Sequence, residues 1–294
     1  MRKYQVSHLT QYNYSVPVTI SQHLLHIIPR ETYNQKWENH TVTISPKPEY
    51  TTSRIDIFGN NVTAFGIEEE HLQFKVLAEG EVTEKEIQIP NSSLCWEEVQ
   101  KALKNPKDKE DIEATMYMFN SPLINFDDSI KRYAEQSFTK SRPVIEAVKE
   151  LNHRIFTDFK YTPNFTRIGT MPIEILRERK GVCQDFAHFM TACLRSMGLS
   201  CAYISGYINT GNTEEEHLIG ADATHAWVSV YIKGYGFLDF DPTNDCIPTD
   251  EHITVAKGRD FSDVSPLKGV ITGGGQHSLK VEVNVKEISG AYNE

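Results

Sequence analysis

The chain has 294 residues, enough for one large domain or two ordinary ones, and its 39% hydrophobic and 24% charged residues are those of a globular protein with a sizeable core. With 40 acidic against 30 basic residues the net charge is -10; together with the lack of any Lys/Arg run, this excludes a phosphate-tracking nucleic-acid surface. The opening Met1-Arg2-Lys3-Tyr4-Gln5-Val6-Ser7-His8 lacks the apolar stretch of a signal peptide, and no run nears the roughly 20 residues of a bilayer span, so no membrane partner is expected. Five scattered cysteines without a disulfide-scaffold spacing point to a reducing, cytoplasmic compartment with at least one thiol free to react.

The first ninety residues read as β structure. Val18 to Ile28, His40 to Ser45, Ile55 to Phe58, Val62 to Ile67 and Leu72 to Val76 are β-prone runs, and Gly59-Asn60-Asn61 is a hairpin turn between two of them. His23 and His26 are three apart, which on a strand puts them on opposite faces and argues against a ligand pair. From about Cys95 the texture becomes helical. Residues Asn105 to Asp111 form an exposed linker or helix start, and Pro143 opens a helix whose buried stripe is Val144, Val148, Leu151 and Ile155. A second helix is predicted from Cys183 to Met197, stopped by Gly198.

Ser200 to Ile208 reads as a strand, and Glu214-Glu215-Glu216 as a solvated loop face. Thr224 to Ile232 and Phe237 to Asp241 make a hairpin across Lys233-Gly234-Tyr235-Gly236, closed by Pro242. Lys280 to Lys286 alternates valines with polar residues as a half-buried strand, and the tail after Ser289 is expected to fray. The division this suggests is a β-rich region over residues 1–95 and a catalytic core with a C-terminal strand over 96–294.

Three residues carry candidate chemistry. Cys183 stands just after Gly181 and at a predicted helix start, where free N–H groups and the helix dipole favour a thiolate and the glycine leaves the approach to sulfur open. Cys193 and Cys201 sit among apolar neighbours and read as structural. A thiolate nucleophile needs a base, and the base an orienting group. His225 begins a strand and shares a face with Trp227, Ser229 and Tyr231, the more polar side if Ala226, Val228, Val230 and Ile232 face the core. Asp241 and Asp239 share a face of the paired strand; a simple hairpin register leaves Asp241 a few positions off His225 and calls for a shift or bulge, so either aspartate is a candidate orienter.

A cysteine at a helix start followed by a histidine and an aspartate on adjacent strands is the chain order of papain-like catalysis. The runs GVCQDFAHFMTACLRSMGL and THAWVSVYIKGYGFLDFDPTND resemble the core of the transglutaminase-like superfamily in its bacterial form. Arg2-Lys3-Tyr4 through Ile28-Pro29-Arg30, Phe58-Gly59-Asn60 and Val255 to Val264 resemble the segments that accompany it. The resemblance implies an α+β fold, with a nucleophile helix packed on an antiparallel sheet and preceded by a small all-β domain. It also implies Cys183 as nucleophile, His225 as base, and Asp241 rather than Asp239 as orienter, acting on a peptide or protein substrate without a cofactor.

On a helix, Asp185 points about 200° and His188 about 140° away from Cys183, so a helix-start or supporting role suits the first and burial the second. Trp227 is expected in the core or as a shield over the His–Asp pair. The Cys183 backbone N–H is expected in an oxyanion hole, with Tyr161 or Gln184 as candidate second donors. Zinc is disfavoured for want of a Cys-x2-Cys or His-x3-His pair. Hydrolysis of peptide or isopeptide amides is the leading expectation; the alternatives are protein-glutamine amine transfer and a non-catalytic binding scaffold.

Overall fold

A computed structural model describes residues 1–209 and 224–288. Five strands come first: β1 (Arg2–Leu25), β2 (Gln35–Ser45), β3 (Tyr50–Ile55), β4 (Asn61–Ile67) and β5 (His71–Glu84). The helical stretch has α1 (Trp96–Lys104), α2 (Lys109–Thr115), α3 (Asp128–Glu135) and α4 (Val144–Asp158). Next come β6 (Lys160–Tyr161), α5 (Pro172–Glu178), β7 (Lys180–Gly181) and α6 (Cys183–Ser196). The chain then runs through β8 (Cys201–Ile208), β9 (His225–Ile232), β10 (Gly236–Phe240), β11 (His252–Gly258), α7 (Phe261–Val264), β12 (Leu267–Gly273) and β13 (His277–Glu287). The expected α+β architecture is present. Glu214-Glu215-Glu216 and the tail after Ser289 lie outside the described residues.

The large sheet is antiparallel, in the order β2-β5-β1-β4-β3, with β12 and β13 also paired to β1. β1 is its spine. Its first half lies between β5 and β13, its second half between β4 and β12. Alternation explains the strand: Tyr4, Val6, His8 and Thr10 point inward while the residues between them stay wetter. Residues 267–287, which the sequence division leaves with the core, are therefore hydrogen-bonded into the sheet of the first ninety residues. Ile55 to Phe58 is not a strand throughout. β3 ends at Ile55 and the chain turns, Asp56 Oδ1 accepting from the N–H groups of Phe58 and Asn60, with Gly59 at φ +81.

The second sheet runs β10-β9-β8-β11, all antiparallel. α6 packs on β8 and β9 and, on its other sides, against α3, α4 and α5. Its residues Asp185 to Arg195 are all buried. The stripe Val144, Val148, Leu151 and Ile155 of α4 is fully buried, as its spacing requires. One point of the strand reading is corrected. All eight residues of β9 are buried, so His225 does not face a polar side. α6 covers one face of the sheet, and residues of the N-terminal region approach the other, as where the Gln35 amide exchanges hydrogen bonds with the Thr254 backbone.

Candidate active site

Cys183 is the first residue of α6, where backbone N–H groups have no acceptor within the helix. The start is closed from the third position: Asp185 Oδ2 accepts from Val182 N–H at 2.8 Å and from Thr166 Oγ1 at 2.5 Å. Asp185 is thus a cap, and burial raises its carboxyl despite those donors. Gly181 serves that cap: a Cβ there would stand 2.8 Å from the Asp185 Cβ, so the glycine makes room for the carboxylate rather than opening a path to sulfur. The Cys183 side chain is partly exposed, whereas Cys193 and Cys201 are buried. Burial pushes the thiols of Cys193, Cys201 and Cys246 up.

His225 and Asp241 meet inside the protein, Nε2 to Oδ2 at 2.8 Å with both side chains fully buried. No bulge was needed. In the β9–β10 register Phe240 opposes Val228, which puts Asp241 diagonal to His225, two positions off, within side-chain reach on the same face. Asp239 has a different partner, the Trp227 indole N–H at 2.8 Å. The turn after Asp241 holds the carboxylate: Thr243 N–H and Asn244 N–H donate to Oδ1 at 2.9 and 3.3 Å, and Asn244 Nδ2 to Oδ2 at 2.7 Å. A further donor, absent from the sequence reading, is His252 Nε2 at 3.0 Å from the same Oδ2. Its signal resembles that of His225: each histidine begins an apolar strand, His225-Ala226-Trp227-Val228 and His252-Ile253-Thr254-Val255.

A carboxylate can only accept, so both Nε2 atoms carry hydrogens; among the described residues neither Nδ1 has a partner within hydrogen-bonding distance. Burial would lower the His225 imidazole, but the charge and hydrogen bond of Asp241, followed by the influence of Cys183, raise it to about 10. Burial would likewise raise Asp241; the His225 charge and the N–H donors of both imidazoles instead hold it well below the usual carboxylate range. Since Nε2 of His225 is committed to Asp241, Nδ1 is the atom left to act on the sulfur. Trp227, fully buried, stacks on His225 at 5.9 Å and meets His252 edge-on at 5.1 Å, so it is both core and cover.

His188 takes the buried role: its Nε2 accepts from Phe261 N–H at 3.1 Å, and burial lowers the ring to about 4, leaving it neutral. Gln184 donates its side-chain amide to the Ile168 carbonyl at 3.3 Å. The Tyr161 phenol, raised to about 12 by burial with Cys183 and Asp185 adding, stays protonated within electrostatic reach of the sulfur. The His225, Asp241 and His252 ligand atoms lie within 4.8 Å of one another, a grouping the zinc argument lacked without His252. Two imidazole N–H groups and an amide already crowd Asp241 Oδ2 at hydrogen-bond lengths, which is the arrangement of a held carboxylate rather than of an open cation cage.

Residues 4–83 match the family model described as the bacterial transglutaminase-like N-terminal region, and residues 131–242 that of the transglutaminase-like superfamily. The second span contains Cys183, His225 and Asp241; His252 lies beyond it. An uncharacterised protein of Mycobacterium tuberculosis (strain H37Rv) is 34% identical over 302 residues, covering 98% of this chain and 94% of the relative. One from Mycobacterium leprae is 29% identical over 293 residues, covering 98% and 100%. In fold, the chain is similar to a crystal structure from Cytophaga hutchinsonii, provisionally assigned as a cysteine protease: TM-score 0.79 and 20% identity, over 99% of this chain and 92% of that one.

Proposed function

This chain belongs to the transglutaminase-like superfamily, and we propose that it works as a cysteine-dependent acyl-transfer enzyme, a protease or amidase that hydrolyses peptide or isopeptide bonds. The observation that carries the reading is the buried His225–Asp241 pair, its imidazole raised in part by the sulfur of Cys183, a partly exposed cysteine on a helix start. The thiol proton passes to His225, whose imidazole is raised well above neutral pH, and Cys183 Sγ then attacks the amide carbon as the thiolate of that ion pair. The Cys183 backbone N–H, with the protonated Tyr161 as candidate second donor, faces the developing oxyanion. The imidazolium, stabilised by Asp241, returns the proton to the leaving amine, and water then attacks the thioester with His225 as base. Hydrolysis needs only water for this last step, whereas amine transfer needs a second bound nucleophile and a site that excludes water. The five unpaired thiols suit a reducing, cytoplasmic compartment.

The test supplies glutamine-containing peptide and isopeptide substrates with a labelled primary amine. Peptide cleavage or ammonia release without amine incorporation, abolished in Cys183→Ala and in His225→Ala, is expected. Amine incorporation would move the assignment to transfer. Turnover retained in either variant would sink the mechanism, and wild-type protein inert to every substrate and to iodoacetamide at Cys183 would favour a scaffold.

A further inference from the structure

A cleft of about 680 Å³ opens between the N-terminal region and the face of the β8–β11 sheet opposite α6. Neither Cys183 nor His225 lines it, so it is separate from the reacting atoms. Its volume is that of a small-molecule site. Two cations converge on it, Arg30 from the segment after β1 and Lys257 from β11, with Tyr33, Tyr235 and Phe237 as aromatic walls.

The two cations are held in place by the backbone and by two buried amides, Gln35 and Asn60. Arg30 N–H donates to the Thr254 carbonyl, and the Gln35 amide donates to the carbonyls of both Arg30 and Thr254. Asn60, fully buried, accepts from Lys257 N–H at 2.8 Å and from Arg30 Nη1 at 3.4 Å, and donates to the Lys257 carbonyl at 2.8 Å. Neither cation has a carboxylate within ion-pair distance among the described residues. The buried Arg30 Nε has no acceptor among the described residues. Lys257 Nζ rests 3.0 Å above the centre of the Phe237 ring and makes no hydrogen bond among the described residues. Asp239 lines the cleft and acts on both cations, but one of its oxygens holds the Trp227 indole; Glu86 is an exposed residue on the lining.

Two fixed, partly buried cations without a paired acid are unfavourable unless a countercharge arrives. Burial, and then the neighbouring Arg30, pull the Lys257 ammonium down to about 7, the mark of that uncompensated charge. We propose that this cleft is a binding site for a small organic anion, whose carboxylate or phosphate head sits between Arg30 and Lys257 and whose apolar body lies against Tyr235 and Phe237. Arginine's planar fork suits either head group. His252 lines the same cleft and donates to Asp241, so an occupant lies one side chain away from the carboxylate that orients His225.

Isothermal titration calorimetry on the full chain tests this with benzoate, phenyl phosphate and inorganic phosphate as probes. At least one is expected to bind saturably, weakening as salt rises, and the better of benzoate and phenyl phosphate identifies the head group. Arg30→Gln and Lys257→Gln should each weaken binding by about tenfold or more, with Lys257→Arg recovering much of the loss. On wild-type protein, the bound probe should slow reductive methylation of Lys257, read by mass spectrometry; this arm does not depend on any variant folding. No saturable binding by any probe, binding that the two Gln variants leave unchanged, or an unprotected Lys257 overturns the proposal.

Discussion

Asp241 Oδ2 receives three N–H donors, from His225, His252 and Asn244, while Oδ1 takes two from the backbone of its own turn. A carboxylate so held can present only one orientation to His225, which makes His252 a positioning residue for the proposed reaction. A hydrogen bond to a charged group is worth about 1.5–3 kcal/mol, so His252→Ala is expected to lower kcat by roughly tenfold or more with KM little changed. His252→Gln, which keeps an N–H donor, should recover much of the loss; steady-state kinetics in which Gln is as damaging as Ala, or in which only KM moves, would reduce His252 to packing. At this scale the sequence was partly legible. Cys183 and His225 stood out because each begins an element, and both lie where that places them. Asp241 could not be separated from Asp239 by register, because diagonal reach depends on strand twist and side-chain rotamer; the family resemblance made that choice, and the indole bond of Asp239 explains it. His252 stayed hidden because its partnership runs through a carboxylate on another strand.

The elements that announce their own ends were the readable ones. Pro143 opens α4, and Gly198, at φ +73, follows the end of α6, both through local backbone chemistry. β1 was only half read because its first part is rich in polar and charged residues; its inward positions include His8 and Thr10, which become tolerable through bonds such as His8 Nδ1 to Tyr207 Oη at 2.7 Å. β5 carries a comparable polar burden at its last residue. Glu84 is buried between partners Arg2 and Gln35 in the register, its Oε1 has no partner among the described residues, and burial, with Asp250 and Asp239 adding, raises it to about 9. The folded state therefore keeps its proton up to about 9, whereas the unfolded chain releases it near the ordinary value of 4.5, so between those values this residue makes stability fall as pH rises. Glu84→Gln, which removes the charge and keeps an acceptor for Asn34, should stabilise the protein at pH 7 by on the order of 1–3 kcal/mol and flatten that pH dependence. Denaturant melts at pH 5 and pH 8 check it; a variant less stable than wild type at pH 8 would show that the ionised carboxylate is accommodated.

Over the whole molecule, chain order and spatial order part company. β12 and β13 come after the site-bearing strands yet pair with β1, so the first and last segments close a single sheet around the N-terminal region. Nothing local in Lys280 to Lys286 names that partner: an alternating strand specifies a face but not a neighbour, and only the folded arrangement joins the chain ends. The same closure ties the two sheets together, since Tyr4, Val6, Trp37, Val82 and Val283 share one apolar cluster with α4, α6 and β9. A shared core and a shared sheet predict cooperativity. Calorimetry should show one unfolding transition rather than separate melting of residues 1–95 and the rest, and a chain ending at Pro266 should lose that transition or melt far lower, because β1 would be left with a bare edge along both halves. The Cys183 labelling rate should fall with it, since β11 anchors His252 at one end and runs through α7 into β12 at the other. Two separate transitions, with the deletion shifting only one and leaving Cys183 reactivity intact, would mean that the N-terminal sheet folds without reference to the site and only flanks it.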